Sequence, residues 1–273
     1  MKIYIGSDQE GVCGIATKAA GPSDEAMNKK LQTQEVVACC NAILEFDPSA
    51  EIVVNDNHGA GLNINIEDLP EQVHLIRQSP EMLDMMYGID DSYDGFIFFA
   101  HAMRGTLNAV MCHVWEVQDL IVNGKPLGEA GISSLIASYY GVPLILTSGD
   151  DAYEKEVKDL SPTTETVVVK YGLGRYVAQN LHPAVARKKI AEGTKKALER
   201  LCAGEIKPVK LPEPPIKLEM HFSDAGAADA ACMMPGVQRL DGRTTLFEAQ
   251  DAKTAYQAFY AQTRLQRGRL IRR

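Results

Sequence analysis

Short apolar runs rich in β-branched and aromatic residues recur along this chain, and each is released into a loop carrying glycine with Asp, Glu or His before a helical stretch begins. That alternation constrains the fold most, because strand, loop and helix in repetition bury a parallel sheet under helices. KIYIGS at 2–7 precedes a long helical pattern at 23–46, for which Ser23 is the expected cap. EIVVN at 51–55 follows, then a short strand at 72–77, a short helix at 79–88 and the strand GFIFFA at 95–100. Residues 116–127 read as a hairpin about Asn123-Gly124, residues 129–141 as a helix closed by Gly141, and PLILTSGDD at 143–151 as another buried strand.

After residue 160 the pattern changes. TETVVVKYG at 164–172 reads as a strand, 183–201 as an amphipathic helix and 207–215 as a proline-rich connector; strand, helix, strand, helix then run from 216 to 266. The expected fold class is α/β: a mainly parallel sheet covered by helices, with a smaller C-terminal α/β subdomain. Residues 1–160 form the α/β metal-binding catalytic domain, and 161–273 either that subdomain or an extension of the same sheet.

Composition removes several classes of function. The formal charge is −8, and five Arg fall in the last ten residues, which leaves −13 on the rest; an acidic body argues against nucleic acid as a ligand. The Arg-rich end reads as a solvated extension. No apolar run approaches the roughly 18 residues of a membrane span. Six Cys without a C-x-x-C pair, and no signal-peptide pattern in MKIYIGSD, point to reduced thiols and a cytoplasmic protein. Walker, G-x-G-x-x-G, H-E-x-x-H and G-x-S-x-G motifs are missing, which disfavours nucleotide-dependent chemistry.

Loops from several strands of an open parallel sheet converge beyond the strands' carboxyl ends, where helix N-termini also point. Asp8 and Glu10 follow the first strand, His58 the second and His101 the strand GFIFFA, while Glu129 opens a helix after Gly128. Two His, two Glu and one Asp on one edge suit a mixed N/O site for first-row metals. Five ligands are too many for one tetrahedral site that keeps a water, but suit two metals sharing a carboxylate, which implies hydrolysis by an activated water. His113, in AVMCHVW, is the candidate for handling the leaving group's proton. Neighbouring Cys112 reads as a buried structural thiol, and His74, His182 and His221 as structural histidines. Two other readings use the same residues: a two-metal hydrolase of another small amide or ester, and a non-catalytic peptide-binding protein.

The stretches Asp8-Gln9-Glu10-Gly11-Val12-Cys13-Gly14, Val54-Asn55-Asp56-Asn57-His58, Phe98-Phe99-Ala100-His101-Ala102, Val110-Met111-Cys112-His113 and Gly128-Glu129-Ala130-Gly131 together resemble the bacterial D-aminopeptidases of the DppA type, self-compartmentalising zinc peptidases. The resemblance continues through Tyr139-Tyr140-Gly141-Val142-Pro143, Gly149-Asp150-Asp151 and Met234-Pro235-Gly236. It implies two zinc ions per chain, with Asp8 bridging, Glu10 and His58 completing one site, and His101 and Glu129 the other. It places His113 at the family's catalytic histidine, described there as a nucleophile; the residues themselves favour an acid/base or oxyanion role. It further implies a short peptide substrate and a homodecamer. D-specificity comes from the resemblance alone, since pocket shape decides chirality. The loop Met103-Arg104-Gly105-Thr106 departs from the family pattern and adds a cation, so Arg104 is expected to contact a substrate carboxylate.

Overall fold

The computed structural model describes residues 1–77 and 83–267. In chain order, β1 (Lys2–Ser7) leads to α1 (Pro22–Phe46), followed by β2 (Glu51–Asp56), β3 (Val73–Ile76) and β4 (Gly95–Phe99). The hairpin β5 (Asp119–Val122) and β6 (Lys125–Pro126) precedes α2 (Glu129–Tyr139), β7 (Leu144–Asp150) and α3 (Asp151–Leu160). Next come β8 (Glu165–Gly174), β9 (Val177–Asn180) and α4 (Pro183–Cys202), then β10 (Ile216–His221), α5 (Ala225–Ala231), β11 (Gln238–Arg239), β12 (Thr244–Ala249) and α6 (Ala252–Arg267).

The first sheet has the order β3-β2-β1-β4-β7-β8-β9, parallel except for β9, which runs back along β8. Side chains alternate across its strands. Ile3, Ile5, Ile97 and Phe99 face a core shared with Val36 and Ile43 of α1 and Ile190 and Leu198 of α4. Tyr4, Phe96 and Phe98 face the opposite core, shared with Ile132 and Ile136 of α2 and with Tyr256 and Phe259 of α6. Burial on both faces explains why these strands read as continuous apolar runs, and the expected helix-covered parallel sheet is present.

From β1 the chain steps outward through β2 to β3, then returns to place β4 on β1's other side. The direction of winding therefore reverses between β1 and β4, where such sheets open a crevice beyond their carboxyl ends.

Of the stretch after residue 160, β8 and β9 lengthen the first sheet, whereas β10, β11 and β12 enter a second, antiparallel sheet of order β11-β12-β10-β5-β6. The Asn123-Gly124 hairpin from the first half of the chain thus pairs with β10, its turn residues at φ 48° and 80° as a type I′ turn requires.

The cap expected at Ser23 is not formed: α1 begins one residue earlier, with Pro22 in its first turn behind Gly21, since proline's fixed φ suits a position whose amide needs no partner. Of the short helix expected over 79–88, residues 79–82 lie outside the described residues, and the rest holds one 3-10 turn, Asp84–Met86. In the Arg-rich end, Arg264 and Arg267 belong to α6, with Arg267 paired to Glu116 at 2.9 Å; residues 268–273 lie outside the described residues.

Candidate metal centre

The crevice at the reversal gathers side chains from β1, β2, β4 and α2. Asp8 is the first residue beyond β1, and its amide donates to the Phe99 carbonyl of β4 at 2.8 Å. The 8–14 loop then crosses the end of β4 so closely that a Cβ on Gly11 would lie 2.3 Å from the Ala100 carbonyl oxygen; only glycine permits that approach. His58 follows β2 in a loop gathered by Asp56, whose carboxylate accepts from the Asn63 amide at 2.6 Å and the Ile64 amide at 2.8 Å. His101 lies two residues past β4, and Glu129 opens α2, where unpaired helix amides favour a carboxylate.

Asp8 divides its two oxygens. Oδ1 lies 3.0 Å from His58 Nδ1, which also meets Glu10 Oε2 at 2.9 Å. Oδ2 lies 3.4 Å from His101 Nε2, which stands 3.5 Å from Glu129 Oε2. Ligand atoms of Asp8, Glu10 and His101 fall within 4.8 Å of one another, as do those of His101, His113 and Glu129.

The residues present fit a metal ion. His101 Nδ1 is 2.9 Å from the Ala102 carbonyl; a carbonyl only accepts, so Nδ1 carries the proton and Nε2 turns toward two carboxylates. Both His101 Nε2 and Glu129 Oε2 are sealed from solvent without a hydrogen-bond partner among the described residues. Atoms about 2.0–2.2 Å from one tetrahedral ion lie about 3.4 Å apart, close to the separations at His101. Fixing the imidazole through its other nitrogen is also how proteins orient a histidine ligand.

Electrostatics make the same demand. Asp8, Glu10 and Glu129 are each no more than 4% exposed. Burial opposes charge on Asp8, yet the His101 and His58 rings hold its carboxyl well below the usual range. Glu10, buried beside that charge, is pushed up. Burial also opposes charge on both imidazoles, but Asp8 and Glu10 raise His58 to about 10, while Glu129 and Asp8 lift His101 well above its ordinary value. The raised Glu10, His58 and His101 report crowded negative charge here, which at Asp8 the two imidazoles offset.

His113 stacks on His101, ring centroids 4.1 Å apart and planes at 14°. Its Nδ1 donates to the Met111 carbonyl at 2.8 Å, which fixes the ring; Nε2 is 3.8 Å from Glu129 Oε1. The side chain is 25% exposed, against 1% for His101, so His113 stands at the mouth of the crevice.

All six expected residues at this centre, Asp8, Glu10, His58, His101, Glu129 and His113, come together. Arg104 follows in the loop after His101, and its Nε is buried without a hydrogen-bond partner among the described residues. Asp150 and Asp151, also at a strand end, serve the scaffold. Asp150 accepts from the amides of Tyr153, at 2.7 Å, and Val110, at 2.6 Å; Asp151 accepts from the Gly172 amide at 2.9 Å. His182 caps α4 through the Ala184 amide, and His221 lies between Asp119 and Glu219.

Several supporting groups escape a reading of the sequence. The Trp115 amide donates to Glu129 Oε1 at 2.7 Å, and the Trp115 indole to Asp84 Oδ2 at 2.8 Å, with Tyr260 of α6 on Asp84 Oδ1 at 3.1 Å. Asn108, Met111 and Trp115 hold φ of 60°, 50° and 42°. Such conformations cost about 1–3 kcal/mol each and persist only where surrounding contacts impose them.

Lys170, fully buried in β8, donates to the carbonyls of Glu10, Val12 and Ile15 at 2.5, 2.9 and 2.6 Å and so fixes the loop carrying Asp8 and Glu10. Its signal was present: a single Lys inside the apolar run TVVVKYG. Beside it, Glu35 accepts from the Cys13 amide at 3.0 Å, and burial pushes its carboxyl up to about 7 against the pull of that amide and of Lys170. A raised carboxyl stabilises the fold fully below its unfolded value near 4.5, and that contribution is lost as pH rises through about 7. The contribution is about 2–3 kcal/mol. Glu35→Gln should therefore lose less melting temperature between pH 5 and 7.5 than the parent. The metal centre's own pH dependence is common to both proteins and cancels in the comparison; equal losses would show that Glu35 does not carry this term.

Comparison with known proteins covers nearly the whole chain. A family model described as D-aminopeptidase matches residues 1–261. A D-aminopeptidase of Bacillus subtilis (strain 168) is 31% identical over 271 residues, which is 97% of each chain. A solved structure, the Zn-dependent D-aminopeptidase DppA from Bacillus subtilis, a self-compartmentalizing protease, superposes with a TM-score of 0.92 at 30% identity, covering 98% of this chain and 99% of that one.

Proposed function

The chain belongs to the D-aminopeptidase family, and from that premise we propose that it is a zinc aminopeptidase releasing the N-terminal D-amino acid of short peptides, with two zinc ions per chain that would share Asp8 as a ligand. The observation that carries the reading is the division of the Asp8 oxygens, one toward His58 and the other toward His101. Glu10 and His58 would complete one site, and His101 and Glu129 the other. All five ligands lie within residues 1–160, the segment proposed as the catalytic domain, while Lys170 supports the Asp8 loop from beyond it.

Bound there, zinc supplies a Lewis acid for the scissile carbonyl and lowers the pKa of water. The chain's own residues do the rest. His113 Nε2, at the mouth, takes a proton from the attacking water and returns it to the leaving amine. The Trp115 amide holds Glu129 Oε1, which directs Oε2 at His101. Arg104, whose buried Nε needs an acceptor, binds the free carboxylate of the peptide. The self-compartmentalizing relative supports self-association, for which we propose a homodecamer. No described helix is long and apolar enough to cross a membrane; the six free cysteines fit the cytoplasmic location we propose.

The test is hydrolysis of D-Ala-D-Ala and L-Ala-L-Ala by protein purified without chelator. Turnover of the D-isomer, abolished by chelation and restored by zinc, is the expected result. Turnover that survives chelation, or activity confined to acyl esters, would overturn the reading. Arg104→Ala should lower kcat/KM for the free dipeptide roughly tenfold or more and leave a C-terminally amidated substrate unchanged; equal effects on both would remove Arg104 from carboxylate binding.

A further inference from the structure

The tip of the β8–β9 hairpin reaches the segment that carries His113, and the contact is made by one residue from both its main chain and its side chain. The Met111 amide donates to the Arg175 carbonyl at 2.7 Å. The Arg175 Nη1 donates to the Cys112 carbonyl and lies 3.6 Å from Cys112 Sγ. Met111 is held at φ 50°, and its carbonyl is the acceptor that fixes the His113 ring through Nδ1. Arg175 thus holds the Met111 amide and the Cys112 carbonyl, on either side of the peptide unit whose carbonyl fixes the His113 ring.

The surroundings are built for this grip. A Cβ on Gly172 would lie 1.7 Å from the Asn108 carbonyl oxygen, so β8 carries glycine where the 108–110 segment rests on it. The register of the hairpin shifts between Gly172 and Gly174, directly before Arg175. The guanidinium is itself oriented, with Nε on the Tyr176 hydroxyl at 3.0 Å and its carbon 5.3 Å from that ring's centroid. Without the guanidinium, the segment between Met111 and Trp115, both at positive φ, would lose its hydrogen bond at the Cys112 carbonyl.

We propose that Arg175 is a positioning residue for hydrolysis: it clamps residues 111–112 so that His113 stays stacked on His101 with Nε2 toward the centre. This rests on the reading that His113 takes part in the reaction. Catalytic geometry tolerates little displacement; about 1 Å can cost on the order of a hundredfold in rate.

The experiment compares zinc-loaded Arg175→Met, Arg175→Lys, His113→Ala and the double variant Arg175→Met/His113→Ala. Arg175→Met should lower kcat by about 10–100-fold with KM within about threefold, keep its zinc and melting temperature, and show faster amide exchange across 106–115. Arg175→Lys, which retains one donor for the Cys112 carbonyl, should recover part of kcat. The double variant should be no slower than His113→Ala, because Arg175 acts through that ring. Unchanged kcat and exchange in Arg175→Met, or a double variant about tenfold slower than His113→Ala, would overturn the proposal. Full turnover in His113→Ala would instead overturn the His113 role, and this inference with it, whereas a crippled His113→Ala beside an unaffected Arg175→Met removes Arg175 alone.

Discussion

Asp8→Asn should strip both metal ions from the chain, not one. A carboxylate spans two cations because each oxygen carries negative charge; an amide offers one neutral oxygen, and its nitrogen repels a cation. Asp8 lies on both contact sets, at 3.0 Å from His58 and 3.4 Å from His101, so the substitution removes a ligand from each site at once. Losing a group that merely orients a metal ligand costs about 10–100-fold in affinity; losing a shared ligand should cost more than that at both sites, and turnover should fall with it. The metal-free variant should meanwhile melt no higher than the metal-free parent, since Asn gives up the pairing that holds Asp8 charged beside His58 and His101. Elemental analysis on dialysed protein reads the result. Retention of one ion per chain would assign Asp8 to a single site and end the bridging account.

His113→Ala carries the second large effect. A positioned general acid or base contributes roughly 10²–10⁴-fold, so kcat should drop by that factor while zinc content stays at the parent level. KM should change little, because the ring's task lies in proton transfer. The zinc measurement separates two roles that the geometry brings close together, for His113 lies with His101 and Glu129 in one cluster of ligand atoms. Loss of one ion with the ring would make His113 a ligand; full turnover without the ring would take it out of the mechanism.

Much of this centre was legible from strand ends alone. Runs such as KIYIGS and GFIFFA have no polar face because both of their faces are buried, and a polar residue just beyond them must emerge at the sheet's edge. That rule found Asp8, Glu10, His58 and His101, and helix-terminus chemistry found Glu129. Asp150 and Asp151 leave a strand end at the same edge but cap a helix and hold loops, so a strand-end position alone does not make a ligand. The second sheet was harder to foresee because β5 pairs with β10 across about a hundred residues of chain, and nothing local in DLIV or IKLEMH names its partner. The edge strands β9 and β11, of four and two residues, carry almost no buried periodicity.

What supports the ligands was hidden for a different reason. Trp115 holds Glu129 with a backbone amide, a group that every residue but proline possesses, so its identity gives no sign of the contact. Arg175 acts from a hairpin tip whose second strand the sequence does not announce. Lys170 was the exception, because an unpaired cation within a buried strand must find acceptors, and three carbonyls of the Asp8 loop supply them.

On the proposed reading, one aspartate would join two metals in the crevice between β1 and β4. Crystals of protein loaded with zinc, with anomalous diffraction recorded on both sides of the zinc absorption edge, address it most directly. Two peaks per chain are expected, each about 2.0–2.2 Å from a different oxygen of Asp8, one beside Glu10 and His58 and the other beside His101 and Glu129. A single peak, or two peaks of which only one touches Asp8, would contradict it.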